Sequence, residues 1–337
     1  MRIRGMPRSG ALALVLTAGA TARAGVEVIE APIVDGRRAT EDELFATVAL
    51  LDAETGEANC TGTLIAPRVV VTAAHCLAIE DEESGEVTGV TAAADLLVAA
   101  GALDVTEADD DQIYQVVSVI VHEGYPNESE PTDAASGAGR YDDIGLLLLA
   151  DDVAKLDVAL VPDIDDAVAA LEAADAVTLS GYGATSPDTD DSGVLYIAEA
   201  SYELRADAEI VIGKAGEPDT CPGDSGGPAY LFDEDGTPWL VGATSRASES
   251  ATANCGEGGV YELVPVYRDW IVDHADGLYE VDPGDPSDPG DPSDPGDPSD
   301  PGEEETDEGS DDGGCLAGGV DALGLGFGVL MIVRRRR

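Results

Sequence analysis

Positive charge is what this 337-residue chain has least of: 17 Lys and Arg stand against 69 Asp and Glu, for a formal net charge of −52. Neutralising phosphates needs clustered Lys and Arg, so nucleic acid is excluded as a general partner. A dense carboxylate surface suits cationic partners or a saline medium, and equally a surface that is simply soluble. Between Ile33 and Val281 the ratio is 52 acidic to 9 basic side chains, only two of them lysine, so the imbalance belongs to the body of the protein. Histidine is scarce as well, which confines any imidazole chemistry to His75, His122 or His274. No uninterrupted apolar run reaches the roughly 20 residues that a permanent membrane helix needs. Apolar residues nevertheless make up 44% of the chain, which excludes a wholly disordered protein and allows one large or two modest domains.

The composition divides the chain into five parts. MRIRGMPR is basic, ALALVLTAGA is apolar, and Ala22-Arg23-Ala24 has the small-x-small form of a cleavage site. This pattern predicts a signal peptide over 1–24, a short pro-segment over 25–32 and a secreted product that can keep disulfides. From 33 to 281, short valine-rich runs alternate with turn residues: Ala46–Leu51, Arg68–Thr72, Gln115–Val121, Ile144–Leu149 and Trp239–Thr244. Such spacing predicts an all-β sandwich or pair of barrels. Asp165–Ala176 has helix-favouring composition and reads as a link between two halves. Residues 282–312 repeat DPGDPS and then turn acidic, a solvated linker. Residues 313–337 hold Cys315, the apolar stretch Leu316–Val333 and four arginines.

Chemistry is concentrated in three short stretches. DTCPGDSGGP, at 219–228, surrounds Ser225 with Gly223, Gly226 and Gly227. Three glycines beside one hydroxyl suit a turn that aims backbone N–H groups at a reacting atom. Thr72-Ala73-Ala74-His75-Cys76 supplies a candidate base directly after a valine run. Tyr141-Asp142-Asp143-Ile144 places acids at the mouth of an apolar run, where a buried carboxylate needs a polar or cationic partner.

TAAHC, DIGLL and GDSGGP, in this order, resemble the signature blocks of the trypsin-like (chymotrypsin-fold) serine proteases. Ile33-Val34-Asp35-Gly36, Cys60–Ile65, Gly181-Tyr182-Gly183 and Gly259-Val260-Tyr261 are similar to further family blocks, so the resemblance runs from Ile33 to about Val281. It implies an all-β fold of two six-stranded antiparallel β-barrels with the active site in the cleft between them. It implies an endopeptidase acting on protein or peptide substrates, with Ser225 as nucleophile, His75 as base and Asp143 as orienting acid. Gly223 and Ser225 would form the oxyanion hole, and Ser245 would support Asp143. Cys60 would pair with Cys76 and Cys221 with Cys255, leaving Cys315 outside the domain. Asp219 would form the floor of a pocket for Arg or Lys, with Gly259 in its wall, and a freed Ile33 amine would pair with Asp224.

The chain departs from the family pattern at the pocket wall. Arg246 stands where the family carries an aromatic and Ala247 where it carries glycine, changes that would narrow the pocket or repel a basic side chain. Ile33 follows Pro32 and not a basic residue. The tail resembles C-terminal sorting signals of Gram-negative, myxobacterial type, which implies processing near Cys315 and attachment to the cell surface or envelope; a plain membrane anchor, a transmembrane helix, is the other reading. No cofactor is expected. Asp104–Asp111 is acidic where several family members carry a calcium loop, although a solvated loop explains it as well. The rival to an enzyme is a catalytically silent module of the same fold used for binding or adhesion.

Overall fold

Two sets of antiparallel strands organise the chain, and the valine- and leucine-rich runs form their walls. The computed structural model describes Ile33 and residues 36–279, apart from 82, 83, 128, 185, 187–191 and 234. The signal peptide, the pro-segment, the linker and the tail with Cys315 lie outside the described residues. Among the described residues, no helix is long and apolar enough to cross a membrane.

The first set is a closed six-stranded barrel. It comprises β1 (Thr47–Asp52), β2 (Ala58–Ala66), β3 (Val69–Thr72), β4 (Leu96–Ala100), β5 (Ile113–Val121) and β6 (Gly145–Leu149), in the order β1-β2-β3-β6-β5-β4. Its interior holds Val48, Leu50, Leu64, Val70, Val98, Leu147 and neighbours. The valines favour extended backbone because two branches at Cβ pack well on a pleated surface. A two-stranded hairpin, Ala78–Glu80 with Val87–Val90, stands apart from the barrel.

The second set comprises β7 (Val177–Gly181), β8 (Tyr196–Ala200), β9 (Tyr202–Ala206), β10 (Glu209–Ile212), β11 (Pro228–Phe232), β12 (Pro238–Ala247) and β13 (Gly259–Leu263). Their order is β8-β7-β11-β12-β13-β10-β9, with the two-residue strand Arg37–Arg38 added beside β8. The edge strands β8 and β9 are separated only by Ser201, so the sheet curls back toward itself. Counted as one strand bent at Ser201, they bring this set to the six strands that the family resemblance implies. The link between the halves carries α1 (Ile164–Ala173), close to its predicted range; Asp163 caps it by accepting the N–H of Asp165. A second helix, α2 (Arg268–His274), ends the domain.

The halves are stitched together at β2. The Thr61 N–H donates to the carbonyl of Ser225 at 2.9 Å, and its hydroxyl donates to the carbonyl of Gly223 at 2.9 Å. Cys60 is disulfide-bonded to Cys76 and Cys221 to Cys255. Such bridges are the chemistry of a protein that matures outside a reducing compartment. All nine basic side chains of the domain have partners: Arg37, Arg140, Lys155, Lys214, Arg246 and Arg268 face carboxylates, Arg38 donates to Tyr196, and Arg68 and Arg205 donate to backbone carbonyls.

Candidate active site

His75 stands on a single 3-10 turn, Ala74–Cys76, that follows β3, and the Cys60–Cys76 bridge ties this turn to β2. Its backbone N–H donates to Asp143 Oδ1 at 2.9 Å, and its Nδ1 lies 2.8 Å from Asp143 Oδ2. The Ser245 hydroxyl donates to the same Oδ2 at 2.7 Å. Burial works to raise the Asp143 carboxyl, but the His75 charge and these donors outweigh it and hold the group below its ordinary range. For His75, burial works to lower the imidazole, and the charge and hydrogen bond of Asp143 outweigh it and raise it.

Both acids of the pair are buried, and the backbone explains how. Asp142 has φ 58°, a left-handed geometry that an aspartate tolerates better than most residues. The turn sends Asp143 to His75, while Asp142 accepts from Asn127 and Tyr267 and faces Arg140.

The glycines around Ser225 have separate tasks. Gly226 has φ 76°, and a Cβ there would lie 2.1 Å from Thr72 Oγ1 and 2.5 Å from the Ala73 nitrogen. Only glycine lets the serine loop press against the residues that lead into His75. Gly223 has φ 95° and lies against Gly183. The N–H groups of Asp224, Gly226 and Gly227 donate to Cys221, Thr244 and Asp224 carbonyls. Those of Gly223 and Ser225 donate to nothing among the described residues.

Next to Ser225 opens a cavity of about 270 Å³ lined by Asp219, Ser245, Arg246 and Gly259 among others. Asp219 is 2% exposed and accepts backbone N–H groups from Thr220, Gly256, Glu257 and Gly258. Burial raises its carboxyl, and those donors work against the rise. The Cys221–Cys255 bridge holds the two segments that supply these groups.

Arg246 does not stand as a free charge at the wall of this cavity. Its terminal nitrogens donate to both oxygens of Glu209, at 2.5 and 3.0 Å, and to the Gly137 carbonyl and the Ser245 hydroxyl. The expected repulsion of a basic side chain is therefore offset by a buried carboxylate, and the guanidinium also lies over the Tyr141 ring, 4.8 Å from its centroid. Sequence reasoning missed Glu209 and Glu262, both fully buried in β10 and β13. The available signal was an acid inside an otherwise apolar strand, EIVI and GVYEL, lost among 69 acidic residues.

Asp224 is fully buried, accepting from the N–H groups of Gly183 at 2.8 Å and Cys221 at 2.9 Å. Burial pushes its carboxyl up to about 7, against those two donors and with a further contribution from the Asp219 charge. Ile33 is also fully buried, in the core of the second barrel. In the acidic loop, Asp104 accepts from Thr106, Asp109 takes part in a capping box with Gln112, and Asp111 faces Lys155. Among the described residues, the one group of metal-type ligands that converges is Cys60, His75 and Cys76, and both sulfurs are tied in a disulfide.

Comparison with known proteins agrees with this geometry. The sequence model of the trypsin family matches residues 33–271. A trypsin of Saccharopolyspora erythraea is 32% identical, covering 72% of this chain and 97% of its own. The clotting factor G beta subunit of Tachypleus tridentatus is 29% identical over 66% of this chain and 75% of its own, and phenoloxidase-activating enzyme 1 of Spodoptera litura 28% identical over 71% and 66%. A match that begins at the buried Ile33 and runs through both barrels leaves no reason to treat the likeness as confined to one motif: the chain belongs to the trypsin family and is a serine-type endopeptidase.

Proposed function

We propose that the enzyme is exported and hydrolyses peptide bonds after Arg or Lys through Ser225, His75 and Asp143. The observation that carries the specificity is Asp219: a carboxylate buried at a cavity beside the nucleophile, bonded only to backbone N–H groups among the described residues. A guanidinium or ammonium entering the cavity supplies the missing charge, and a buried charge-assisted pair discriminates strongly against neutral side chains.

His75 takes the Ser225 proton as the hydroxyl oxygen attacks the scissile carbonyl, and Asp143 holds the imidazole in the tautomer that can accept it. The oxyanion is met by the N–H groups of Gly223 and Ser225, each worth roughly 3–4 kcal/mol of transition-state stabilisation. His75 then protonates the leaving amine, and water hydrolyses the acyl-enzyme by the same steps in reverse. A freed Ile33 amine pairs with Asp224 and fixes the loop that carries both oxyanion donors. The tail attaches the enzyme at the envelope and is cut near Cys315; intact-mass measurement of protein from its native host checks this, and a mature chain ending in Arg337 would contradict it.

A peptide-substrate library tests the specificity. The parent is expected to cut after Arg and Lys, and Asp219→Ser to lose about 10²- to 10³-fold for those substrates, the cost of leaving a buried cation unpaired. Labelling of Ser225 by a fluorophosphonate should survive that substitution. A parent preference for small or aromatic residues would refute the assignment of Asp219.

A further inference from the structure

Behind His75, four carboxylates lie buried where the barrels meet: Asp142, Asp143, Glu209 and Glu262, none more than 3% exposed. Three have positive partners. Arg140 faces Asp142, Arg246 grips Glu209, and His75 faces Asp143. Glu262 has no cation at hydrogen-bond distance among the described residues. Its Oε1 accepts the backbone N–H of Asp143 at 2.8 Å, and its Oε2 lies 2.6 Å from the Tyr267 hydroxyl.

That hydroxyl poses a counting problem. Tyr267 Oη also lies 3.1 Å from Asp142 Oδ1, and one phenol proton cannot occupy both lines. With both carboxylates ionised, one contact would set lone pairs against lone pairs in a dry interior. A second proton removes the conflict: Glu262 donates it to Tyr267, and Tyr267 donates its own to Asp142. The strand register points the same way, because Glu209 and Glu262 are directly opposed across β10 and β13, where two like charges destabilise a sheet.

We infer that Glu262 is a neutral carboxylic acid in the working enzyme and that, by holding the N–H of Asp143, it is a positioning residue for the triad proposed above, on which this role rests. Asp143 reaches His75 from a left-handed turn, and its buried N–H has Glu262 as its partner. Burial, and then the charge of Glu209, raise the Glu262 carboxyl well above its ordinary range, against the Tyr267 hydrogen bond. The charged or titratable groups around it are Glu209 on β10, Arg246 on β12, Asp142 and Asp143 before β6, and Tyr267 before α2. His75 lies beyond Asp143, and the His122 ring stands edge-on to Tyr267 at 5.3 Å.

Two substitutions separate the possibilities. Glu262→Gln retains a carbonyl oxygen for the Asp143 N–H and a donor for Tyr267, whereas Glu262→Leu retains neither. The profile of kcat/KM against pH is expected to keep its acid-limb midpoint in Glu262→Gln, because no charge has been removed from beside His75. Glu262→Leu should lose on the order of tenfold in kcat/KM, the effect of stranding one buried N–H. Stability supplies a readout that needs no catalysis. A carboxyl whose folded pKa is raised contributes fully below its unfolded pKa and loses that contribution as pH rises through the folded value. The melting temperature of Glu262→Gln should therefore fall less steeply from pH 5 to 9 than the parent's, and a carboxylic-acid carbonyl band present in the parent's infrared spectrum at neutral pH should vanish. An acid limb displaced to lower pH in Glu262→Gln, or parallel melting profiles with no such band, would overturn the neutral acid. Failure of the parent to be labelled at Ser225 would instead bring down the triad, while the melting and infrared comparison still decides where the proton resides.

Discussion

The strands of the first barrel bury valine, leucine and alanine with a few threonines and no carboxylate, whereas the second barrel and its loops bury Glu209, Asp219, Asp224 and Glu262. The acids next to the first barrel, Asp142 and Asp143, stand before β6 at its rim. One half is thus a closed apolar platform that presents His75 and Asp143 on its edge. The other holds charge inside itself, each group with its own setting: Glu209 against Arg246, Asp219 beside the cavity, Asp224 on the N–H groups of Gly183 and Cys221, and Glu262 on the N–H of Asp143. Burial of charge is costly without partners, so the second barrel is where stability gives way to function.

Removing the chemistry from either side is the largest way to probe this division. Ser225→Ala and Asp143→Asn should each lower kcat by about 10⁴-fold or more while leaving the melting temperature near the parent's. A loss below tenfold in either would contradict the assigned roles.

Stability comes next. Arg246→Leu strands Glu209 inside the second barrel and should cost about 3–5 kcal/mol in denaturant unfolding. Leu147→Ala, in the fully buried wall of the first barrel, should cost about 2–5 kcal/mol through a cavity.

Asp224 gives a smaller, pH-bound effect. Its folded pKa, about 7, lies above the ordinary aspartate value. In the uncut chain its contribution is therefore complete below about pH 4 and declines by a few kcal/mol as pH rises through 7. Asp224→Asn should flatten that decline in the uncut chain. A freed Ile33 ammonium, pairing with the carboxylate, should reverse it. Thermal scans between pH 4 and 8 on the three proteins check the signs.

The smallest expected effect is that of calcium. Adding the ion or a chelator should leave the melting temperature unchanged, because Asp104 and Asp111 are already engaged by Thr106 and Lys155. A calcium-dependent rise would place a ligand set in that loop.

Much of the site was legible because its residues sit in contiguous blocks whose chemistry depends on spacing: Ser225 among glycines, His75 after a valine strand, Asp143 before an apolar one. The strands were legible for the same reason, and β6 begins within one residue of its expected start. What stayed hidden depends on contacts between distant positions. Nothing local tells that Arg246 and Glu209, 37 residues apart, meet as an ion pair, or that Glu262 holds the N–H of a residue 119 positions earlier. The strand bent at Ser201 was hidden because one residue between two β runs reads as continuation and gives no sign of which edge each run will occupy.

The shortage of cations that marked the sequence has a further meaning once each one is seen in place. Under the specificity proposed for Asp219, copies of the enzyme would be substrates for one another, and every basic residue of the chain would be a bond at risk. Between Ile33 and Val281 there are nine such bonds. Their side chains are committed to Glu43, Tyr196, Leu149, Asp142, Asp111, Asp207, Glu203, Glu209 and Asp163, so none can enter a neighbour's pocket without first leaving a partner in its own fold. Under that specificity, resistance to self-cleavage would have two sources, the rarity of basic residues and the restraint on each of them.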